Sequence, residues 1–248
     1  MLCRSSQFIV LPLLVLAMMS PSTGGELKSM TYQVQRTQGF FNLTDKWDQG
    51  QWANTETFRL ANFMGPRPEH FPDTQAKLLY DDNTLYVFFR VQDRYVRAVA
   101  ETYHDAVCQD SCVEFFFTCR QGSAQGYFNL EVNCGGTLLF HHQTARSKNQ
   151  RQVAIEDCQR LQILPSLPKT IDPEITVPTV WTLKYALPVK ILKKYATVET
   201  PAPGVIWKAN FYKCADKTSH PHWLTWNPVD HPGPNFHLPR YFGTIVFE

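Results

Sequence analysis

One carboxylate stands alone in an apolar run at Val113-Glu-Phe-Phe-Phe117, and soon after it Phe128-Asn-Leu-Glu-Val-Asn133 places a polar residue at every second position. Burying a carboxylate in a run like the first is costly unless the group is partnered or sits at a rim. Side chains alternate across a strand, so Asn129, Glu131 and Asn133 share one face and Phe128, Leu130 and Val132 the other. If the two segments pair, Glu114 meets Asn129 or Glu131 and makes a polar patch on an aromatic sheet. A second concentration lies near the C-terminus, in His220-Pro-His-Trp-Leu-Thr-Trp-Asn-Pro228 and Asn235-Phe-His-Leu-Pro239. Trp223 and Trp226 are three apart and so face opposite ways on a strand, with Trp226 taken as a candidate ligand-facing ring. Proline on both sides holds Phe236 in a loop with little freedom to lose on binding.

Flat rings beside amides and carboxylates suit a sugar, whose C–H faces stack on aromatics while its hydroxyls take hydrogen bonds. A good stacking contact adds roughly 0.5–1.5 kcal/mol beyond its area burial. Enzymatic patterns are missing: the chain has no G-x-S-x-G, H-E-x-x-H, G-x-x-x-x-G-K-[ST] or G-x-G-x-x-G. Glu114 and Glu131 could meet the carboxylate spacing of a glycosidase, but nothing in the sequence marks either as an acid with a raised pKa. His104-Asp105, His141-His142 and His220-Pro-His222 are formal metal-ligand candidates, with no spacing that selects a metal.

The elements that must position these residues are strands. Lys77–Tyr80 and Leu85–Gln92 flank an Asp/Asn turn, and Tyr127–Asn133 and Thr137–His142 flank Gly135-Gly136. Val113–Thr118 is apolar on both faces apart from Glu114, as a covered central strand should be. Thr179–Leu187, Ile206–Lys213, His222–Trp226 and Phe242–Phe247 complete the set. The predicted fold is all-β, a two-sheet antiparallel sandwich with one or two short helices. The helices are expected over Lys148–Leu164 and Pro188–Tyr195, and the proline-rich Pro165–Pro178 is expected to be a surface loop.

Composition narrows the partners. Lys and Arg total 24 against 22 Asp and Glu, a near-neutral balance that argues against nucleic acid or an anionic membrane. Aromatics reach 13 %, part of them expected in the core and part on a binding surface. Arg4, an apolar run from Phe8 to Met19 and the small residues up to Gly25 form a secretory signal, so residues 1–25 are read as a leader and 26–248 as one secreted, extracellular domain. The apolar run is too short to span a bilayer. The six cysteines after the leader predict disulfides, with 15 pairings open. No C-x-x-C occurs among them, which argues against zinc.

Six segments taken in order resemble the family 9 carbohydrate-binding modules, in particular their family-9-like branch, within the broader DOMON-like type of sandwich. They are Leu85-Tyr-Val-Phe-Phe-Arg-Val-Gln-Asp93, Asp110-Ser-Cys-Val-Glu-Phe-Phe116, Tyr127-Phe-Asn-Leu-Glu-Val-Asn-Cys-Gly-Gly-Thr-Leu138, Trp181-Thr-Leu-Lys-Tyr-Ala-Leu-Pro188, Ala209-Asn-Phe-Tyr-Lys-Cys-Ala-Asp216 and Asn235-Phe-His-Leu-Pro-Arg-Tyr-Phe-Gly243. The resemblance runs from about Trp52 to Glu248. It implies a β-sandwich, often with structural calcium, that binds a mono- or oligosaccharide without catalysis, two rings clamping a terminal sugar unit. On this pattern the D-S-x-V-E glutamate is Glu114 and the second clamp ring is Phe236. The first clamp position falls at Cys108 or its neighbour, so Tyr103 or His104 has to supply that ring, and Asn129 stands where such modules carry an arginine. The same superfamily includes haem binders, for which Met64 with a histidine or lysine would serve as axial pair. A sandwich that contacts only proteins is the third alternative.

Overall fold

The computed structural model describes residues 29–248, so the expected leader lies outside the described residues. The first six strands are β1 (Thr31–Arg36), β2 (Phe58–Arg59), β3 (Asn62–Phe63), β4 (Asp73–Tyr80), β5 (Thr84–Asp93) and β6 (Val96–Ala98). Then come β7 (Cys112–Phe117), β8 (Tyr127–Asn133), β9 (Leu138–Gln143), β10 (Arg151–Gln152), the one-turn helix α1 (Ile155–Cys158), β11 (Gln162–Pro165) and β12 (Ile171–Ile175). The chain ends with β13 (Thr179–Pro188), the short helix α2 (Val189–Leu192), β14 (Ile206–Cys214), β15 (Trp223–Thr225) and β16 (Gly243–Phe247).

Hydrogen bonding links most of these strands into one curled sheet, in the order β10-β9-β8-β7-β14-β16-β1-β4-β5-β13-β11. The curl comes from β1, which changes partner along its length: Thr31–Val34 run parallel to β16, and Gln35–Arg36 run parallel to β4. One half of the ribbon is thereby folded over the other, giving a sandwich whose remaining pairings are antiparallel. The two inner faces meet in a single aromatic core. Phe58, from β2 on one half, lies 4.7 Å from Phe211 of β14 on the other, and Phe211 stacks on Phe115 at 4.6 Å. Trp181, Trp207 and Trp226 are sealed in the same cluster.

Both hairpins read from sequence are present, as β4–β5 and β8–β9. Two expectations need correction. Lys148–Leu164 is not a helix but two edge strands around a single turn: Arg151 pairs with His142, and Gln162–Pro165 pair with β13. Its apolar positions, Val153, Ile155, Leu161 and Leu164, do not form one helical face, so edge pairing prevails. The proline-rich segment 165–178 also contains a strand, β12, which pairs with β6. The short helix expected over Pro188–Tyr195 forms as α2, with Pro188 at its N-terminal boundary.

The six cysteines are all free thiols, so the disulfides expected from their even number do not occur here. Cys119, Cys134 and Cys158 pack as small apolar side chains in the main core. No helix among the described residues is long and apolar enough to cross a membrane.

Candidate functional site

Strand β7 lies between β8 and β14, and its inner residues Val113, Phe115 and Phe117 belong to the core. Its other face carries Cys112, Glu114 and Phe116. Register sets Glu114 directly opposite Tyr212 on one side and Glu131 on the other. Two carboxylates are thus held side by side by backbone pairing alone. Loops bury them. Glu114 is 2 % exposed and Glu131 6 %.

These loops leave one pocket of about 600 Å³, counting its open mouth. Its floor is Glu114, Phe116, Glu131 and Cys214, and its walls include Cys108, Arg146, Asp216, Trp223, Asn235, Phe236 and His237. Several of these residues are tied in place. Phe236 stacks on Tyr212 with ring centres 4.0 Å apart and planes at 9°, and the Tyr212 hydroxyl donates to the Phe236 carbonyl at 3.2 Å. Trp223 Nε1 donates to Asp216 Oδ1 at 2.7 Å. Asn129 donates through Nδ2 to Glu131 Oε1 at 2.9 Å and accepts at Oδ1 from Gln143 Nε2 at 2.8 Å. Gln143 Oε1 in turn accepts from the Ser147 backbone at 2.8 Å, holding the turn that carries Arg146. Asp110, the first residue of the D-S-x-V-E segment, bonds Arg97, Asn133 and the Val99 and Ala100 amides, so it ties the neighbouring loop down rather than facing the pocket.

The pocket is acidic and poorly compensated. Among the described residues neither Glu114, Glu131 nor Asp216 has an ion-pair partner within 4.0 Å, and Arg146 is equally unpaired. Burial first, then the charge of Glu131, holds the Glu114 carboxyl well above its ordinary range. Burial also raises Glu131, to about 7, and lifts Asp216. His237 is pushed down to about 4 by burial and is neutral near pH 7. The site therefore offers carboxyl groups that can accept or share a proton, amide and guanidinium donors, and two ring faces.

Of the residues singled out by sequence, Glu114, Glu131, Asn235 and Phe236 line this one pocket, and Asn129 stands behind Glu131. Trp226 does not reach it. That ring is 1 % exposed and packs on Phe58 and Phe211 in the main core, so its assignment as a ligand-facing ring is corrected. Trp223 takes the outward position instead. The signal was legible: Trp226 shares strand parity with apolar Leu224, whereas Trp223 shares it with Thr225. Tyr103 lies in a separate surface depression with Thr102, Thr137 and Ile155, and His104 stacks on His141 and bonds the Val153 carbonyl. Neither supplies the first clamp ring. Arg146, Asp216, Cys108 and Cys214 escaped the sequence reading because loops and a neighbouring strand deliver them to the pocket.

Two cofactor expectations can be tested against donor chemistry. Calcium takes six to eight oxygen ligands. The group of metal-ligating side chains that converges among the described residues is Cys112, Glu114 and Cys214, a thiol-rich set that does not fit calcium. Met64, the axial ligand required by a haem reading, is packed in the small apolar cluster with Phe236 and Phe242 and does not line the pocket.

A curled β-sandwich with a small, ring-walled polar pocket on the outer face of one half defines a class, the ligand-binding β-sandwich modules. Within that class the chain belongs to carbohydrate-binding family 9, whose profile matches residues 51–247. This is a family of non-catalytic carbohydrate-binding modules. The chain is 26 % identical to a Bacteroides uniformis protein assigned a carbohydrate-binding role, with 89 % of this chain and 100 % of that one aligned at a TM-score of 0.78. A family 9 module from Caldicellulosiruptor kristjanssonii, solved with cellotriose, shares its fold at a TM-score of 0.60 and 16 % identity, over 88 % of this chain and 94 % of that one. The glucose complex from the same organism aligns at a TM-score of 0.59 and 16 % identity, over 88 % and 96 %. No curated protein matches the chain.

Proposed function

We propose that the pocket above Glu114 and Glu131 binds a terminal sugar unit of a mono- or oligosaccharide and leaves it chemically unchanged. Phe236 and Trp223 supply the stacking faces, and Glu114, Glu131, Asp216, Asn235 and Arg146 take the hydroxyls. The observation that carries this reading is the convergence of two rings and two buried, unpaired carboxylates on one pocket, in a chain of a carbohydrate-binding family. A small, open-mouthed pocket suits a chain end better than a long interior stretch. The ligands of the Caldicellulosiruptor kristjanssonii module, cellotriose and glucose, make β-linked glucans the first ligands to try. The apolar run of residues 8–19 supports export, which would bring such a module to extracellular glycans.

A glycan array followed by affinity electrophoresis tests the reading. Loss of one stacking face should weaken binding about tenfold, so Phe236→Ala and Trp223→Ala are each expected to do so. Glu114→Ala is expected to weaken it at least as much. Silence across neutral and charged glycans, from protein whose fold is intact by near-UV circular dichroism, would overturn the proposal and favour a sandwich that contacts only proteins.

A further inference from the structure

Three of the six thiols gather at this pocket, and their chemistry goes unused in sugar binding. Cys112 and Cys214 face each other as the end pair of the β7–β14 ladder. The Cys112 and Cys214 sulfurs and a Glu114 carboxylate oxygen all lie within 4.8 Å of one another. Cys214 Sγ donates to Glu114 Oε1 at 3.0 Å. Glu114 and Cys214 open onto the cavity, and Cys108 and Asp216 stand at its wall. The other cysteines differ: Cys119, Cys134 and Cys158 are packed in the main core.

We infer that Cys112, Cys214 and Glu114 form a binding site for a thiophilic divalent cation, of the zinc class, at the floor of the pocket. Two thiolates and one carboxylate are three ligands of a tetrahedral site, and the cavity leaves the fourth position open to water or to Cys108 or Asp216. Zinc binds sulfur at about 2.3 Å and carboxylate oxygen at about 2.0–2.2 Å, so two ligands of one ion stand roughly 3.5–4 Å apart. The observed separations need only small side-chain shifts to reach that. Softness of the donors excludes calcium and magnesium, which require oxygen. The lack of any ion pair on Glu114 supplies the second argument. A buried carboxylate flanked by another carboxylate is well placed to receive a cation, and thiols beside it select which cation. Cysteine spacing along the chain could not reveal the site, since its ligands come from two strands a hundred residues apart in sequence.

Cobalt(II) titration of the reduced full chain is the direct test, because thiolate-to-cobalt charge transfer gives an absorption that carboxylates and imidazoles do not. A single saturable band, removed by added zinc, is expected in the wild type and in Cys119→Ser. Cys112→Ser and Cys214→Ser should lose it, and Glu114→Gln should weaken cobalt binding at least about tenfold. Should the cysteine variants fail to fold, alkylation in graded urea, mapped by mass spectrometry on the wild type, decides: Cys112 and Cys214 are buried, and zinc should raise the urea concentration at which they react with iodoacetamide. Absence of a band, a band that survives in folded Cys214→Ser, equal alkylation with and without zinc, or a Cys112–Cys214 disulfide in protein isolated without reductant would each overturn the inference. The cation site shares Glu114 and the pocket floor with the sugar reading, yet the two fail separately: the cobalt titration contains no sugar, and glycan binding is measured in chelator.

Discussion

Glu131→Gln isolates the cost of ionising a buried carboxyl group on the pocket floor. The folded protein holds the Glu131 carboxyl at about 7 against an ordinary value of 4.5, with burial as the largest cause. A raised folded value means that the native state binds the proton more tightly than the unfolded chain. The sign follows from linkage: the contribution to stability is fully present below the unfolded value and is lost as pH rises through the folded one. Between about pH 5 and about pH 8 the loss amounts to roughly 2–3 kcal/mol. Glutamine keeps the oxygen that accepts from Asn129 and carries no charge, so the variant escapes this loss. Urea unfolding followed by tryptophan fluorescence, at several pH values in chelator, gives the difference between variant and wild type. Histidines that titrate in the opposite sense cancel in that difference. The variant should be near wild type at the acid end and the more stable of the two at the alkaline end. A difference that does not change with pH would refute the reasoning, because it would mean that Glu131 ionises in the folded protein as freely as in water.

The two tryptophans of the C-terminal segment should separate cleanly. Trp226→Ala should cost about 3–5 kcal/mol of stability in urea unfolding, as removal of a fully packed core ring does, whereas Trp223→Ala should cost under about 1 kcal/mol there and act on glycan affinity. Lys213→Met should cost about 3–5 kcal/mol, since it strands buried Asp93 without the ammonium 3.4 Å away. The Lys213 charge and a bond from His70 hold the Asp93 carboxyl below its ordinary range against the cost of burial, so this stabilisation is present above the ordinary carboxylate range and lost as pH falls through the depressed folded value. His222 is held down to about 3, mainly by burial. The unfolded chain therefore takes up that proton first, and stability should fall as pH drops from about 6.5 toward about 3, a slope that His222→Gln should reduce in acid-unfolding curves.

Alternation was enough to make much of the fold legible. It marked β8 and the two hairpins, because a period of two with aromatic and β-branched residues has few other stable uses, while an unbroken apolar run marked β7 as a covered central strand. It also put Asn129 and Glu131 on one face and set Glu114 apart as a carboxylate that needed an explanation. Lys148–Leu164 misled for the converse reason. Short edge strands whose partners lie tens of residues away leave no local period, and the partner, not the segment, decides their conformation.

Residue order alone determined an all-β chain, an aromatic surplus, and a ring and a carboxylate, Phe236 and Glu114, as the pair to watch. Tertiary structure decided which of Trp223 and Trp226 meets solvent, that Tyr103 and His104 stand elsewhere, and that Arg146, Asp216 and two thiols join the same cavity. The physical reason is locality: strand parity travels along the backbone and can be read from neighbours. A pocket wall is assembled from loops whose positions are set by what packs beneath them, and by ladder register between strands a hundred residues apart.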